Sequence, residues 1–150
     1  MHQVKNEILT ADRESASEAT VYFDGSCPLC TVEIDHYASR EGGDKLCFVD
    51  VSKSDAELGS DLNAQDAMRR FHVRLSDRTL VSGARGFVEV WNILPGWRWA
   101  ARLARIPGIT LMLEVAYRLF LPIRPALSKI ALWLGAKPSN PKEQGQRRVG

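Results

Sequence analysis

Cysteine is scarce in this sequence, and its scarcity excludes several kinds of protein. Three cysteines among 150 residues are too few for a disulfide-rich scaffold. The first residues lack the apolar core of a secretory signal, so we expect a reducing, cytoplasmic setting. Charges and prolines interrupt every apolar window between residues 106 and 134. Because a membrane span needs about 20 apolar residues, we expect no transmembrane helix.

Net charge is small, but it is divided unevenly along the chain. The formal net charge is +2. Residues 1–60 contain 12 acidic and 5 basic residues, a net of −7, whereas residues 95–150 contain 10 basic and 2 acidic residues, a net of +8. This division favours attraction between the two ends across the fold, with an anionic partner as the alternative. The length and the 45% hydrophobic content indicate one globular domain that needs neither disulfides nor metal to fold, and we expect no cofactor.

The most informative stretch is residues 20–30, TVYFDGSCPLC, where two cysteines follow a short apolar run. The β-branched and aromatic residues stop at Asp24. After Cys30, apolar residues recur at helical spacing, on the same helical face as Cys30. Pro28 suits the first position of a helix, where its missing N–H costs nothing. The pattern predicts a strand, a tight turn, a Cys27-x-x-Cys30 motif and a helix, which is typical of a redox site.

The periodicity of residues 20–94 predicts an α/β domain with the element order β-α-β-α-β-β-α. Strand-like runs at 20–24 and 46–51 flank the first helix, so they are expected to pair in parallel. Residues 64–71 have the spacing of an amphipathic helix, 72–81 that of an antiparallel hairpin, and 83–94 that of another helix. This order is that of a three-layer thioredoxin-like fold.

The rest of the chain is predicted to be a helical extension between two polar tails. Residues 1–19 and 137–150 are polar and aperiodic, so we expect a mobile N-terminal tail and a disordered C-terminal one. Residues 95–136 form the extension, which we expect to pack on the thioredoxin-like domain. Peripheral membrane contact through this region is the less favoured alternative.

Prolines are expected to divide this extension into separate helices. Pro122 should end a nearly apolar helix that begins after the Pro107-Gly108 break. A last short helix should then start at Pro125, with Ile130 and Leu134 among its inward residues.

The position of each cysteine predicts its role. A thiolate is the attacking species in thiol–disulfide exchange, and a helix N-terminus stabilises negative charge on sulfur. Cys27 is therefore expected to be the exposed attacking thiol. Cys30, one turn further into the helix, is expected to be the buried resolving thiol.

Asp24 lies three residues before Cys27, and two roles for it remain open. Asp commonly caps a turn by accepting backbone hydrogen bonds, which is the favoured interpretation. A carboxylate beside the motif can instead accept the proton of Cys30 at the resolving step, so Asp24 is also a candidate catalytic residue.

Two other functions are weaker alternatives. A zinc site would need partners such as Cys47, His36 and His72, but a structural site usually takes four ligands, and only one cysteine pair exists here. A row of arginines with nearby tryptophans resembles a phosphate-binding face, but no nucleic-acid-binding signature accompanies it. We therefore expect no metal ligands and no nucleic-acid partner. The arginines are Arg98, Arg102 and Arg105.

The stretch Val21–Cys30 resembles the opening of the DCC family of predicted thiol-disulfide oxidoreductases, named for an Asp-x-x-Cys-x-x-Cys motif. Asp24, Cys27 and Cys30 supply that motif here. Further similar stretches bring the resemblance to roughly residues 20–125: Phe48-Val49-Asp50, His72-Val73-Arg74, Ser82-Gly83-Ala84 and Leu94-Pro95-Gly96-Trp97.

The resemblance implies a thioredoxin-like fold and an enzyme that exchanges thiols and disulfides through the motif cysteines. Thioredoxin-like proteins usually carry a cis-proline opposite the site, but Phe71-His72 occupies that place here. By that analogy His72, with Pro28 and Leu29, is a candidate substrate-binding residue.

We expect a protein-disulfide reductase that acts on a protein or small-molecule disulfide and draws electrons from a dithiol donor. The alternative is a non-enzymatic binding or redox-sensing module that acts through the basic C-terminal region.

Overall fold

The computed structural model describes residues 17–135, which form a four-stranded mixed sheet with helices on both faces. The predicted order β-α-β-α-β-β-α is confirmed, and the fold is thioredoxin-like. Two short 3-10 turns, Gly43–Lys45 and Pro95–Trp97, lie directly before the second strand and before the helix that begins at Arg98. The elements are β1 (Ala19–Phe23), α1 (Pro28–Ala38), β2 (Leu46–Asp50), α2 (Ala64–Arg69), β3 (His72–Leu75), β4 (Leu80–Ser82), α3 (Ala84–Ile93), α4 (Arg98–Ala104) and α5 (Ile109–Trp133).

The predicted tails fall almost wholly outside the described residues, which exclude 1–16 and 136–150. At the N-terminal side, β1 begins at Ala19, which the sequence had placed in the tail.

The sheet has the strand order β2-β1-β3-β4. As predicted, β1 runs parallel to β2, and β3 and β4 form an antiparallel hairpin; β3 also pairs antiparallel with β1. Side chains alternate along a strand, so β1 serves two cores. Val21 and Phe23 pack with Ile34 of α1 on one face, whereas Tyr22 packs with Ala67 of α2 on the other. The central strand is therefore buried on both faces, and its end carries the motif.

Helix α1 begins where the sequence placed it. Cys27 has an extended backbone and is the N-cap, and Pro28 takes the first helical position. The helix ends at Ala38 with Ser39 as its C-cap.

The predicted break at Pro122 is wrong. Helix α5 is a single helix of 25 residues that contains both Pro122 and Pro125. Each proline removes one backbone donor and frees a carbonyl one turn earlier. Both prolines lie on the exposed side of the helix, where a freed carbonyl can tilt toward water, so the helix continues.

The outward side of α5 is apolar, against expectation. Ile130 and Leu134, which the helical spacing placed inward, have 53% and 72% of their surface exposed. Among the described residues, no single helix is long and apolar enough to cross a membrane. The segments Pro95–Ala104 and Ile109–Trp133 reach the length and apolar composition of a membrane span only when they are taken together. They are bent by 103° relative to each other.

Candidate functional site

The motif cysteines form a close pair of free thiols at the start of α1. The sulfur of Cys30 lies 2.8 Å from the sulfur of Cys27 and donates a hydrogen bond to it. The backbone N–H of Cys30 also points at that sulfur, at 3.4 Å. Both donors belong to the first turn of the helix, where backbone N–H groups have no carbonyl partner. The pair is therefore built to hold negative charge on Cys27.

The surroundings of Cys27 lower its thiol pKa to about 5. The hydrogen bond from the Cys30 thiol is the largest cause, and burial opposes it. A hydrogen bond from Ser128, the backbone N–H of Cys30 and the positive charge of Arg124 lower it further. Cys27 is thus a thiolate at neutral pH.

The same hydrogen bond between the two thiols has the opposite effect on the pKa of Cys30. Donation of its proton to Cys27 raises the pKa of Cys30, and burial and the negative charge on Cys27 raise it further. The charge of Arg124 partly offsets these effects. In the reduced pair, the shared proton therefore stays on Cys30.

The expected exposure of the two cysteines is wrong. Cys27 has only 6% of its surface exposed, because α5 crosses over it and places the Ser128 hydroxyl 3.2 Å from its sulfur. Cys30 is half-buried and lines a cavity. The local pattern around the motif contains no information about a helix a hundred residues later, and that helix covers Cys27.

Asp24 takes the turn-capping position that the sequence favoured. One carboxylate oxygen accepts from the backbone N–H of Ser26, at 3.0 Å, and from the hydroxyl of the same residue. The other oxygen accepts from the guanidinium of Arg124, at 2.7 Å. Within residues 17–135, no hydrogen bond joins this carboxylate to either sulfur, so a proton-transfer role for Asp24 stays a prediction.

A second buried carboxylate supports the turn from the neighbouring strand. Asp50, at the end of β2, accepts a hydrogen bond from the backbone N–H of Gly25 at 2.8 Å. It also accepts from the backbone and hydroxyl of Ser52. A Cβ atom at position 25 would collide with the Asp50 carboxylate, so this close approach requires glycine.

A cavity of about 470 Å³ opens beside Cys30. Its lining is mostly apolar and includes Leu29, and its charged members are Asp24, Glu33, Arg70 and Arg124. Many of the lining side chains are aromatic, among them Phe23, Phe71, Phe87, Trp97, Tyr117 and Phe120. A cavity of this size and polarity suits an apolar ligand or side chain.

Glu33 is an ionisable group within this apolar lining. It lies one helical turn after Cys30, and its carboxylate accepts a hydrogen bond from the hydroxyl of Tyr37 at 2.8 Å. Trp91 in turn donates to that hydroxyl at 3.1 Å. Burial is the largest cause of a raised Glu33 pKa, and the charge of Cys27 adds to it, while the Tyr37 hydrogen bond opposes it.

The three predicted substrate-binding residues lie in different places. Leu29 lines the cavity, and Pro28 is buried at the start of α1. His72 is buried in β3 with its ring nitrogen 2.8 Å from the carbonyl oxygen of Arg70, and it is not among the residues that line the cavity. Its neighbour Phe71 is. The position opposite the motif is therefore held by an aromatic ring, and a substrate-binding role for His72 stays a prediction.

The alternative of a zinc site can be compared with the positions of the histidine, cysteine and acidic side chains. Among residues 17–135, no three His, Cys, Asp or Glu side chains lie close enough together to hold a metal ion. Cys47 lies on β2 opposite Thr20, and His36 lines the cavity.

Sequence reasoning missed three functional candidates: Arg124, Ser128 and Glu33. Arg124 and Ser128 are four residues apart and so share one face of a helix that is otherwise largely apolar; this polar pair was the available signal. Glu33 follows Cys30 by three residues, which places it on the same face of α1.

Comparison with known proteins gives one family and one distant relative. A sequence profile described as DCC1-like thiol-disulfide oxidoreductase matches residues 21–130. An uncharacterised chloroplastic protein from Arabidopsis thaliana is 28% identical over 117 residues, which covers 72% of this chain and 54% of that protein. The chain thus spans about half the length of the curated relative that it matches. No solved structure matches significantly.

Proposed function

The chain belongs to the family of DCC1-like thiol-disulfide oxidoreductases, and we propose that Cys27 and Cys30 are its redox-active pair. The observation that carries this proposal is the 2.8 Å approach of the two sulfurs at the start of α1, where the Cys30 thiol donates to the sulfur of Cys27. A thiolate at that position is the species that attacks a disulfide.

In the first step, the Cys27 thiolate attacks one sulfur of a substrate disulfide. An S–S bond forms between Cys27 and that sulfur, the substrate S–S bond breaks, and the second substrate sulfur leaves as a thiolate. The product is a mixed disulfide on Cys27. Because Ser128 covers Cys27, the substrate has to displace the contact between α5 and this sulfur before it can react.

In the second step, Cys30 gives its proton to solvent, and the resulting thiolate attacks the sulfur of Cys27. The Cys27–Cys30 disulfide forms, the mixed disulfide breaks, and the remaining substrate thiolate leaves. Two electrons have then passed from the protein to the substrate. The main causes of the raised Cys30 pKa are its hydrogen bond to Cys27, burial and the negative charge on Cys27. The mixed disulfide removes that negative charge, so Cys30 ionises more easily when its attack is required.

The direction of electron flow follows from the partners and from the stability of the thiolate. A thiolate stabilised in the reduced pair favours the reduced state, so the disulfide form readily accepts electrons. An external dithiol returns the pair to the reduced form, with the donor oxidised to its disulfide. The stabilised thiolate also makes the reduced pair a weaker reductant, so its substrates must be disulfides of higher reduction potential. We propose reduction of such disulfides as the physiological direction, since a reducing compartment supplies the dithiol donor that keeps the pair reduced.

The proposal is tested by insulin reduction with dithiothreitol as the dithiol donor. Cys27→Ser should reduce the rate to that of dithiothreitol alone. Cys30→Ser should retain the first step and accumulate a mixed disulfide, visible as a mass increase on Cys27. Cys47→Ser is the matched control, because it removes a thiol outside the pair, and it should keep the wild-type rate.

Two outcomes contradict the proposal. Full turnover by Cys27→Ser would show that another group carries the reaction. A wild-type protein that shows no turnover, yet forms a reversible Cys27–Cys30 disulfide, would instead indicate a redox sensor.

A further inference from the structure

The inner face of helix α5 carries polar side chains that bind the domain. Glu114 binds the backbone N–H of Ala84 at 3.1 Å and also pairs with Arg70. The hydroxyl of Tyr117 accepts from the backbone N–H of Phe71 at 2.8 Å. The inward contacts of Arg124 with Asp24 and of Ser128 with Cys27 continue this row. The inner face is therefore fixed to the domain through polar groups.

The outer face of α5 is apolar and exposed. Its large side chains recur at spacings of three or four residues, which makes them one continuous stripe. Leu119 has 68% of its surface exposed and Trp133 has 85%. Other members of the stripe are Leu111, Met112, Ile123 and Ile130. An exposed apolar surface of this extent marks an interaction site in a folded protein.

The exposed charges of α4 and α5 are cationic. Residues 95–135 contain six basic residues and a single acidic one, Glu114, which faces inward and is paired. Lys129 is exposed on α5 itself, as is Arg118, whose guanidinium pairs with Glu114 at 3.1 Å. Three further arginines are exposed on or just after α4. Trp99 and Trp133 add exposed indole rings, a side chain that prefers the boundary between apolar and aqueous phases.

We propose that the outer face of α5 docks in the plane of an anionic lipid bilayer. An amphipathic helix that binds a membrane surface buries an apolar face in the headgroup region and uses neighbouring cations to attract anionic lipids. Helix α5 has both properties. In this arrangement, Leu119 and Ile123 enter the apolar boundary, while Lys129 lies at the level of the phosphates.

Charge complementarity argues against a second copy as the occupant. A two-fold interface places the same surface on both partners. Cations of α5 would then face cations, with no unpaired acidic side chain among residues 95–135 to neutralise them. An anionic bilayer supplies the opposite charge as well as an apolar layer.

Residues 136–150 are also unsuited to cover the apolar stripe of α5. Residues 136–150 contain only one large aliphatic side chain, Val149, so they offer little apolar surface to cover it. They contain four basic residues and one acidic residue, which adds to the positive charge after α5.

Docking would leave the redox site in place and close to the membrane. The inner face of α5 keeps its contacts with Asp24 and Cys27, since these lie on the side away from the bilayer. A helix is about 10 Å across, so the cysteine pair would lie about one helix diameter from the lipid surface.

The test is flotation of the full chain with vesicles of phosphatidylcholine, alone or mixed with phosphatidylglycerol. We expect binding to the mixed vesicles, little binding to phosphatidylcholine alone, and release as salt is raised, because salt screens the attraction. Failure to bind the mixed vesicles overturns the proposal, whatever the turnover of the cysteine pair.

Variants separate the apolar and electrostatic contributions. The double variant Leu119→Gln/Ile123→Gln should weaken binding by more than about tenfold, from the apolar area lost. Val32→Gln is its matched control, since Val32 is an exposed aliphatic residue on α1, and it should bind as the wild type does. Lys129→Gln should weaken binding about fivefold, whereas Arg69→Gln on α2 should have no effect.

The altered side chains are exposed, so thermal unfolding should show each variant to be folded. Equal binding by wild type and the double variant overturns the proposed surface. A concentration-dependent dimer that the double variant abolishes, without vesicle binding by the wild type, assigns the face to a second copy instead.

Discussion

Arg124 and Asp24 form an ion pair between positions one hundred residues apart, with a guanidinium nitrogen 2.7 Å from a carboxylate oxygen. Asp24 is buried at the end of β1, and Arg124 projects inward from α5. The pair joins the turn that carries the motif to the helix that covers it. It also brings a positive charge close enough to lower the pKa of both cysteines.

Removal of this guanidinium should destabilise the protein. Arg124→Gln leaves a buried carboxylate without its charged partner, and we expect a loss of about 2 kcal/mol in the free energy of unfolding. Urea titration measures it. Arg69→Gln removes an exposed arginine on α2 and should change the value by less than about 0.5 kcal/mol.

A double-mutant cycle tests whether the loss comes from the pair. In an Asp24→Asn background, Arg124→Gln should cost much less than in the wild type, because the charge it leaves unpaired is already gone. Equal losses in both backgrounds would show that the ion pair contributes nothing.

Alkylation of Cys27 should follow a thiolate that forms at low pH. The rate of reaction with iodoacetamide should rise through an inflection near pH 5 and then level off. An unperturbed thiol would show its inflection near about 8.5. Ser128→Ala removes a donor to the sulfur and should move the inflection upward, whereas Ser76→Ala, on the exposed hairpin turn, should leave it unchanged.

The same shift predicts how the stability of the reduced protein depends on pH. The pKa of Cys27 is lower in the folded state than in the unfolded chain, so the unfolded chain binds more protons between the two values. The contribution of Cys27 should be fully present above the ordinary thiol pKa and be lost as the pH falls toward 5. Cys27→Ser should show no such slope.

Ionisation of Glu33 should change the stability of the protein with pH in the direction opposite to that of Cys27. Burial raises its pKa in the folded state, so its contribution is present below the ordinary carboxyl value and is lost as the pH rises through the folded one. Glu33→Gln keeps an oxygen that accepts from Tyr37 and removes the ionisation. We expect this variant to be more stable than the wild type at neutral pH, with a smaller pH dependence in urea titrations. Lower stability at neutral pH would contradict the assigned direction.

Gly25 should tolerate no side chain. In Gly25→Ala, the new Cβ would overlap the carboxylate of Asp50, which also holds the backbone of the turn. We expect a loss of about 3 kcal/mol in unfolding free energy and slower disulfide exchange, because the turn that positions Cys27 must move. Gly96→Ala is the control: no heavy atom lies within 4 Å of its Cβ, so thermal unfolding should change little.

Features that depend on neighbouring residues could be predicted from the sequence. The N-cap position of Cys27 and the first helical position of Pro28 follow from the short-range rules of helix initiation. The parallel pairing of β1 and β2 follows from a strand-helix-strand order of limited length. These rules act within a few residues, so the strands, the first helix and the hairpin were predictable.

Features that depend on distant segments could not be predicted in the same way. Cys27 is covered because α5 crosses it, and nothing near the motif specifies that crossing. Helix α5 continues through Pro122 because it is held to the domain on both sides of that residue, by Tyr117 and by Arg124. The rule that proline ends a helix considers only the local backbone and takes no account of such contacts. The apolar outer stripe was misassigned because helical spacing identifies a face but not its direction.

The distance in sequence between Cys27 and Ser128 has a consequence for synthesis on the ribosome. The chain emerges from its N-terminus, so the cysteine pair is made long before α5. Until residue 128 has left the ribosome, Cys27 lacks the Ser128 hydroxyl, and before residue 124 it also lacks the nearby guanidinium. The nascent chain therefore carries a less acidic thiol than the finished protein, and full activation of the dithiol coincides with completion of the fold.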